Sequence, residues 1–157
     1  MIRPMTPADR PAVLALIEAT GFFRPDEIRV AEELIDITFG RPDQKDYEIV
    51  VATDEKGTVA GYLTYGPTPL TQGTYDLYWM AVDPGTQGRG VGRTLVEWLE
   101  DYVRRAGGRL IVIETSSTEK YEPTRRFYLG LKYTETARIS DFYGPGDDRV
   151  IYTKRVS

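Results

Sequence analysis

One stretch restricts the fold of this 157-residue chain more than any other: Val82-Asp83-Pro84-Gly85-Thr86-Gln87-Gly88-Arg89-Gly90-Val91-Gly92-Arg93. It follows an apolar, strand-like run from Leu77 to Val82 and leads directly into a helical pattern. A strand, a glycine-rich loop and a helix in that order present unpaired backbone N–H groups at the positive end of the helix. Such groups are a ready site for phosphate oxygens. Glycines at 88, 90 and 92 remove the Cβ atoms that would hold an anion away from the backbone. The loop therefore predicts a phosphate-bearing cofactor bound by an α/β chain.

Two familiar phosphate loops do not fit. A P-loop requires Gly-x-x-x-x-Gly-Lys-Ser/Thr, and no lysine lies between Lys56 and Lys120. A dinucleotide loop requires Gly-x-Gly-x-x-Gly after the first strand of a βαβ unit, with an acid roughly 20 residues on. Here the third glycine, Gly92, falls one place early and the loop sits mid-chain. The chain also lacks histidine and cysteine. Ser-His-Asp and Cys-His catalysis are therefore excluded, as are zinc sites of the usual type and disulfides. Any general acid or base must be Asp, Glu, Tyr, Lys or water.

With 41% hydrophobic and 28% charged residues, the composition is that of a folded globular chain. Its length suits one domain, residues 1–157. No apolar run approaches the roughly 20 residues of a membrane span, and Met1-Ile2-Arg3-Pro4 does not open a signal peptide. A cytoplasmic location with no membrane partner is the default expectation. The net charge of −4 argues against a nucleic-acid partner and mildly favours a cationic substrate.

Periodicity and punctuation predict the remaining elements. Ile2 to Met5 reads as a strand, and Thr6-Pro7 as an N-cap with proline at the first helical position. Val13, Leu14, Leu16 and Ile17 fit a helix closing at Gly21. A second helix is predicted from Pro25 to about Phe39, and a hairpin from Tyr47–Thr53 and Thr58–Tyr65. Thr74–Val82 is the next strand. Val91–Arg105 follows as a helix with Leu95, Val96, Leu99 and Val103 inward, ended by Gly107-Gly108. Leu110 to Ile113 is a continuous apolar run, the pattern of a strand covered on both faces. A short helix, Pro123–Leu129, and two strands, Tyr133–Phe142 and Arg149–Lys154, complete the chain.

Gln87-Gly88-Arg89-Gly90-Val91-Gly92 resembles motif A of the GNAT acetyltransferases, Gln/Arg-x-x-Gly-x-Gly/Ala. Tyr78-Trp79-Met80-Ala81-Val82-Asp83-Pro84 is similar to that family's fourth strand and its exit. Thr124-Arg125-Arg126-Phe127-Tyr128-Leu129-Gly130-Leu131 is similar to its later tyrosine-bearing helix, with Leu131 in place of phenylalanine. The resemblance implies an α/β fold: a mixed, mostly antiparallel central sheet with a parallel, splayed strand pair and flanking helices. It also implies acetyl-CoA as acyl donor, with no metal.

In that family the pantetheine arm lies along a strand edge, a position that Met80, Ala81 and Val82 match. Gln87, Gly88, Arg89, Gly90, Val91, Gly92 and Arg93 match the pyrophosphate loop. For Arg89 and Arg93, plain solvated helix-terminus arginines are an equal reading. Acetyl transfer from a thioester to an amine needs a base for the amine, a donor to the carbonyl oxygen and an acid for the thiolate. By resemblance Tyr128 is the acid, against the bland reading of a packing aromatic in a chain with 11 tyrosines. The Met80 N–H is the implied donor to the carbonyl.

Two carboxylates compete for the base. Asp76 lies where some members keep a catalytic glutamate. Glu114 shares a strand face with Val112 and Leu110, which predicts a partly desolvated carboxyl with a raised pKa. Either is as readily a structural carboxylate. Many members carry an asparagine seven residues before the tyrosine, but Tyr121 stands there, and Ser116, Ser117 and Thr118 are the substitutes at hand. The implied acceptor is an amine-bearing small molecule or a peptide. Phe22 and Phe23, on the helix-loop-helix that walls the acceptor site in the family, read equally well as core plugs. Asp141, Asp147 and Asp148 suit a cationic acceptor or a tight turn. The other class of function is a non-catalytic acyl-CoA-binding sensor. Dimers are frequent in the family, so a homodimer stays open.

Overall fold

The structure is a computed structural model describing residues 1–157. In chain order the elements are β1 (Ile2–Pro4), α1 (Arg10–Ala19), α2 (Pro25–Gly40), β2 (Glu48–Thr53), β3 (Val59–Pro67), β4 (Thr74–Val82) and α3 (Val91–Arg105). They are followed by β5 (Leu110–Ser116), α4 (Glu122–Gly130), β6 (Thr134–Gly144) and β7 (Asp147–Arg155). The strands form a seven-stranded mixed sheet in the order β1-β2-β3-β4-β5-β7-β6. Its one parallel register aligns Thr74–Leu77 of β4 with Leu110–Ile113 of β5. Residue contacts divide the chain into two compact units, Met1–Pro67 with Tyr78–Leu99, and Thr68–Leu77 with Glu100–Ser157. No helix is long and apolar enough to cross a membrane.

In the first unit α1 and α2 cover one face of β1–β3. Val13, Leu16, Ile17, Ala31 and Ile35 from the helices meet Met5, just after β1, and Ile49, Val51, Tyr62 and Ala81 from the strands in one buried cluster. Each large aliphatic chain so enclosed contributes about 1.5–3 kcal/mol. Phe23 packs on this cluster, with its ring 5.2 Å from Trp79 and 5.3 Å from Phe22, as expected of a core plug. Leu95, Val96 and Leu99 of α3 are fully buried, so the predicted stripe is the one used.

The α-helical start predicted at Pro7 lies three residues later. Pro7–Asp9 is a 3-10 turn because the Asp9 carboxylate turns back to the Thr6 N–H at 2.8 Å and takes two hydrogen bonds from the Arg3 guanidinium at 2.7 and 2.9 Å. The guanidinium, more than the backbone donor, holds the Asp9 carboxyl well below the usual carboxylate range. A carboxylate with a depressed pKa stabilises the fold at pH values above its unfolded pKa near ~3.9 and loses that contribution as the pH falls further. Replacing Asp9 with Asn is therefore expected to cost about 1–3 kcal/mol at neutral pH. In acid denaturation below roughly pH 3.9 the difference between the two proteins should shrink. A constant difference down to pH 2 would refute that account.

In the second unit α4 and the end of α3 cover one face of β5 and β7. Ile111, Ile113, Thr115, Val150 and Tyr152 are buried there. Leu110, Val112, Ile151 and Thr153, pointing the other way, are only partly buried, and Glu114 is exposed. Two-sided covering of Leu110–Ile113, expected from the apolar run, is therefore corrected to one-sided covering within this unit. The apolar even-numbered positions hid an alternation that only Glu114 betrays. Lys154 on β7 donates to the Glu100 carboxylate at 2.6 Å and to the Leu131 carbonyl at 2.9 Å. This pair ties α3, the sheet and the end of α4 together.

Candidate functional site

The loop after β4 is built by its own short side chains. The Asp83 N–H donates to Ala60 O at 2.8 Å, and the Asp83 carboxylate accepts from the Gly85 N–H at 3.0 Å. Thr86 Oγ1 donates to Asp83 O at 2.9 Å, which closes a 3-10 turn over Pro84–Thr86. Gly88 and Gly90 then take φ of 81° and 76°, a left-handed backbone that a side chain would strain. A Cβ at either position would meet nothing within 4 Å, so the space beside this backbone is open.

The hydrogen bond from the Thr94 N–H to Gly90 O, 2.9 Å, opens the helical ladder of α3. The N–H groups of Val91, Gly92 and Arg93 precede it and have no carbonyl within the helix to donate to. Left-handed glycines, open space and outward donors at a helix N-terminus together fit the phosphates of a CoA ester. Arg93 is paired with Glu97 at 2.7 Å. Arg89 is exposed and lines a surface cavity of about 790 Å³ with Met1, Thr53, Asp54, Glu55 and Lys56.

Upstream of this loop, the parallel register of β4 with β5 ends at Leu77, before Met80, Ala81 and Val82 are reached. Ala81 is itself buried in the first core cluster, while Met80 and Val82 are partly buried. All of the expected cofactor residues thus belong to the first unit. The three expected catalytic residues, Asp76, Glu114 and Tyr128, belong to the second.

Tyr128 is 4% exposed and lies on the buried side of α4. Its ring is 5.2 Å from Phe127, 5.9 Å from Tyr133 and 6.3 Å from Tyr152. Burial pushes its phenol well above the ordinary tyrosine range.

Asp76 aligns with Val112, so it shares a sheet face with Glu114. It accepts a hydrogen bond from Thr68 Oγ1 at 2.7 Å. Glu114 is ion-paired to Arg149 of β7, and its side chain is 35% exposed. The carboxyl shares a face with Leu110 and Val112, as alternation predicts, and is partly enclosed with Arg149 as its partner. Ser116 and Ser117 do not stand free to replace the family asparagine. Ser116 Oγ donates to the Asp147 carboxylate at 2.5 Å, and Ser117 Oγ accepts from the Asp148 N–H at 2.7 Å. Thr118 Oγ1 is 2.9 Å from Ser116 Oγ.

The acids of the β6–β7 turn are likewise spent on the turn. Asp141 accepts from the Gly146 N–H at 2.8 Å, and Asp148 accepts from the Asp141 N–H at 3.0 Å. Arg149, Glu100 and Lys154 were not singled out from the sequence. An arginine diagonal to a glutamate on paired strands is a legible signal only once the register is known, and register depends on turn geometry.

The sequence profile described as the Acetyltransferase (GNAT) family matches residues 14–131. The crystal structure of a GNAT-family protein from Desulfovibrio desulfuricans is 44% identical, covers 100% of this chain and 99% of its own, and superposes with a TM-score of 0.94. An aminoglycoside 6'-N-acetyltransferase complexed with coenzyme A has the same fold, with a TM-score of 0.77, 18% identity and coverage of 100% and 97%. S-(2-succino)cysteine N-acetyltransferase of Bacillus subtilis (strain 168) is 28% identical over 72 residues, 43% of this chain and 44% of that relative. The match thus spans less than half the length of that curated relative. The chain belongs to the GNAT acetyltransferase family, whose members transfer an acetyl group from acetyl-CoA.

Proposed function

We propose that this protein transfers the acetyl group of acetyl-CoA directly to a primary amine of a small molecule or peptide. The observation that carries the catalytic part is Tyr128, a buried tyrosine on α4 at the position of the family's tyrosine. The similar N-acetyltransferases share an amine acceptor and differ in its carrier: S-(2-succino)cysteine in one, an aminoglycoside in another.

In this reading the N–H groups of Gly88 to Arg93 hold the pyrophosphate, and the strand edge at Met80, Ala81 and Val82 holds the amide-bearing arm. Gln87 and Arg89 border the phosphates. When bound, acetyl-CoA supplies an activated acyl carbon and a thiol leaving group. Glu114 takes a proton from the acceptor ammonium, which frees the nitrogen lone pair for attack on the acyl carbon. The Met80 N–H donates to the carbonyl oxygen as charge gathers there. The C–N bond forms, the C–S bond breaks, and Tyr128 gives its phenolic proton to the departing sulfur. Tyr128 regains a proton as the nitrogen, cationic after the attack, sheds its second one, and Glu114 releases the first to solvent, so acetyl-CoA and an ammonium give the amide, the CoA thiol and one proton. Asp76, held by Thr68, is the structural carboxylate of the two.

Calorimetric titration with acetyl-CoA, followed by thiol release against a panel of amines and peptides, tests the proposal. Binding with acceptor-dependent thiol release is expected. Binding without turnover on any acceptor would favour a sensor, and no binding would remove the cofactor assignment altogether.

A further inference from the structure

The open face of the second unit carries one feature that acetyl transfer as such does not require. Glu114 of β5 and Arg149 of β7 form an ion pair there, with side-chain exposures of 35% and 24%. The pairing follows from register: Glu114 stands opposite Ile151 and Ser116 opposite Arg149, so the acid and the base are diagonal neighbours on one face. Beside them lies an aromatic shelf on β6. The Arg149 guanidinium carbon sits 4.6 Å from the centre of the Phe142 ring, and Phe142 meets Tyr143 edge-on at 5.0 Å. Both aromatics are about half exposed, 48% and 50%.

Arg149 is under-used in this arrangement. Its Nε–H is enclosed and has no hydrogen-bond partner, while a terminal nitrogen meets Glu114. A guanidinium has five N–H donors in a planar fork suited to carboxylates. A partly exposed ion pair contributes about 1 kcal/mol or less, so a ligand that satisfies both charges separates it at small cost. The nearby acids are not competitors. Asp147 is engaged by Ser116, and Asp148 by the Asp141 N–H and Arg138. The pair therefore offers one positive and one negative group a few ångströms apart, next to exposed rings.

We propose that Glu114 and Arg149 form the acceptor site for an α-amino acid, Glu114 taking its ammonium and Arg149 its carboxylate, with its side chain against Phe142 and Tyr143. The inference rests on the reading of Glu114 as the group that receives the acceptor amine. A polyamine would bring a second cation towards Arg149, and an aminosugar only neutral oxygens, with no carboxylate for the guanidinium fork. A peptide N-terminus carries its carboxylate too far along the chain.

The test compares L-phenylalanine, L-leucine and L-methionine with phenethylamine, isoamylamine and 3-methylthiopropylamine, the same side chains without the carboxylate. Binding to the CoA-saturated protein is measured by calorimetry, and transfer by thiol release. At least one amino acid is expected to bind about ten- to a hundredfold more tightly than its amine, the range for a charged hydrogen bond. Arg149→Met should erase that difference by weakening the amino acid alone, and Arg149→Lys should restore part of it. Equal binding of acid and amine by the unaltered protein would overturn the proposal, with no variant needed. So would an Arg149→Met effect equal on both, which is what a merely structural arginine gives.

The two readings fail separately. Carboxylate-dependent binding without thiol release would leave the acceptor site standing and remove the catalytic roles. Thiol release on amines or peptides with no carboxylate preference would do the reverse.

Discussion

Tyr128→Phe is expected to lower kcat by about a hundredfold, the usual scale for loss of a general acid, while leaving acetyl-CoA affinity within about twofold. The split follows from the proposed roles: Tyr128 gives a proton to the departing sulfur, whereas the phosphates are held by backbone N–H groups of the loop after β4. Stability should change by only about 1 kcal/mol, because the ring contacts to Phe127, Tyr133 and Tyr152 survive the loss of one hydroxyl. A companion expectation concerns pH. Burial raises the phenol pKa, so the protonated form persists where an ordinary tyrosine near ~10 begins to ionise. The rate should show no alkaline decline from this residue below about pH 10. Retained activity in Tyr128→Phe would return the residue to the ordinary core tyrosines.

The second large effect is expected from the ion pair of Lys154 and Glu100, whose side chains are 26% and 10% exposed. Breaking a buried pair from one side costs about 3–5 kcal/mol, because the remaining charge has lost both water and partner. Lys154→Met should reach about 3 kcal/mol, or roughly 6–12 °C in Tm for a chain of this size. It strands the more enclosed member, Glu100, and also removes the donor to the Leu131 carbonyl at the end of α4. Glu100→Gln should cost less, since Lys154 keeps that carbonyl and lies 5.4 Å from the Tyr133 ring. The double replacement Glu100→Leu with Lys154→Met should recover most of the loss, because apolar packing commonly equals or exceeds a buried pair. Additive losses in urea unfolding of the three variants would count against this picture.

Much of the architecture is legible in the chain. Thr74–Val82 and Val91–Arg105 have the bounds that periodicity predicts, because a strand broken by Asp-Pro-Gly and a helix with an unbroken apolar stripe carry their own punctuation. Elsewhere the elements are right and the ends are not. β5 runs on to Ser116, past its last apolar residue, because its pairing with β7 continues there, and β6 reaches Gly144 through an irregularity after Ile139 to a closing pair with Asp147. The start of α1 is displaced by Asp9, whose partner Arg3 lies on a strand.

By itself the sequence determined the local chemistry: a strand, a left-handed glycine loop and a helix N-terminus, together with a catalytic repertoire stripped of histidine and cysteine. Those follow from backbone sterics and side-chain identity, which neighbours in sequence settle. Tertiary structure alone decided which face of β5 is covered, and hence that Glu114 lies partly exposed and paired with Arg149. It also decided that Ser116, Ser117 and the turn acids hold the β6–β7 turn, and that Lys154 meets Glu100. Each of these depends on strand register and on which helix packs against which face, and a shift of one residue in pairing would send every side chain of a strand to the opposite side.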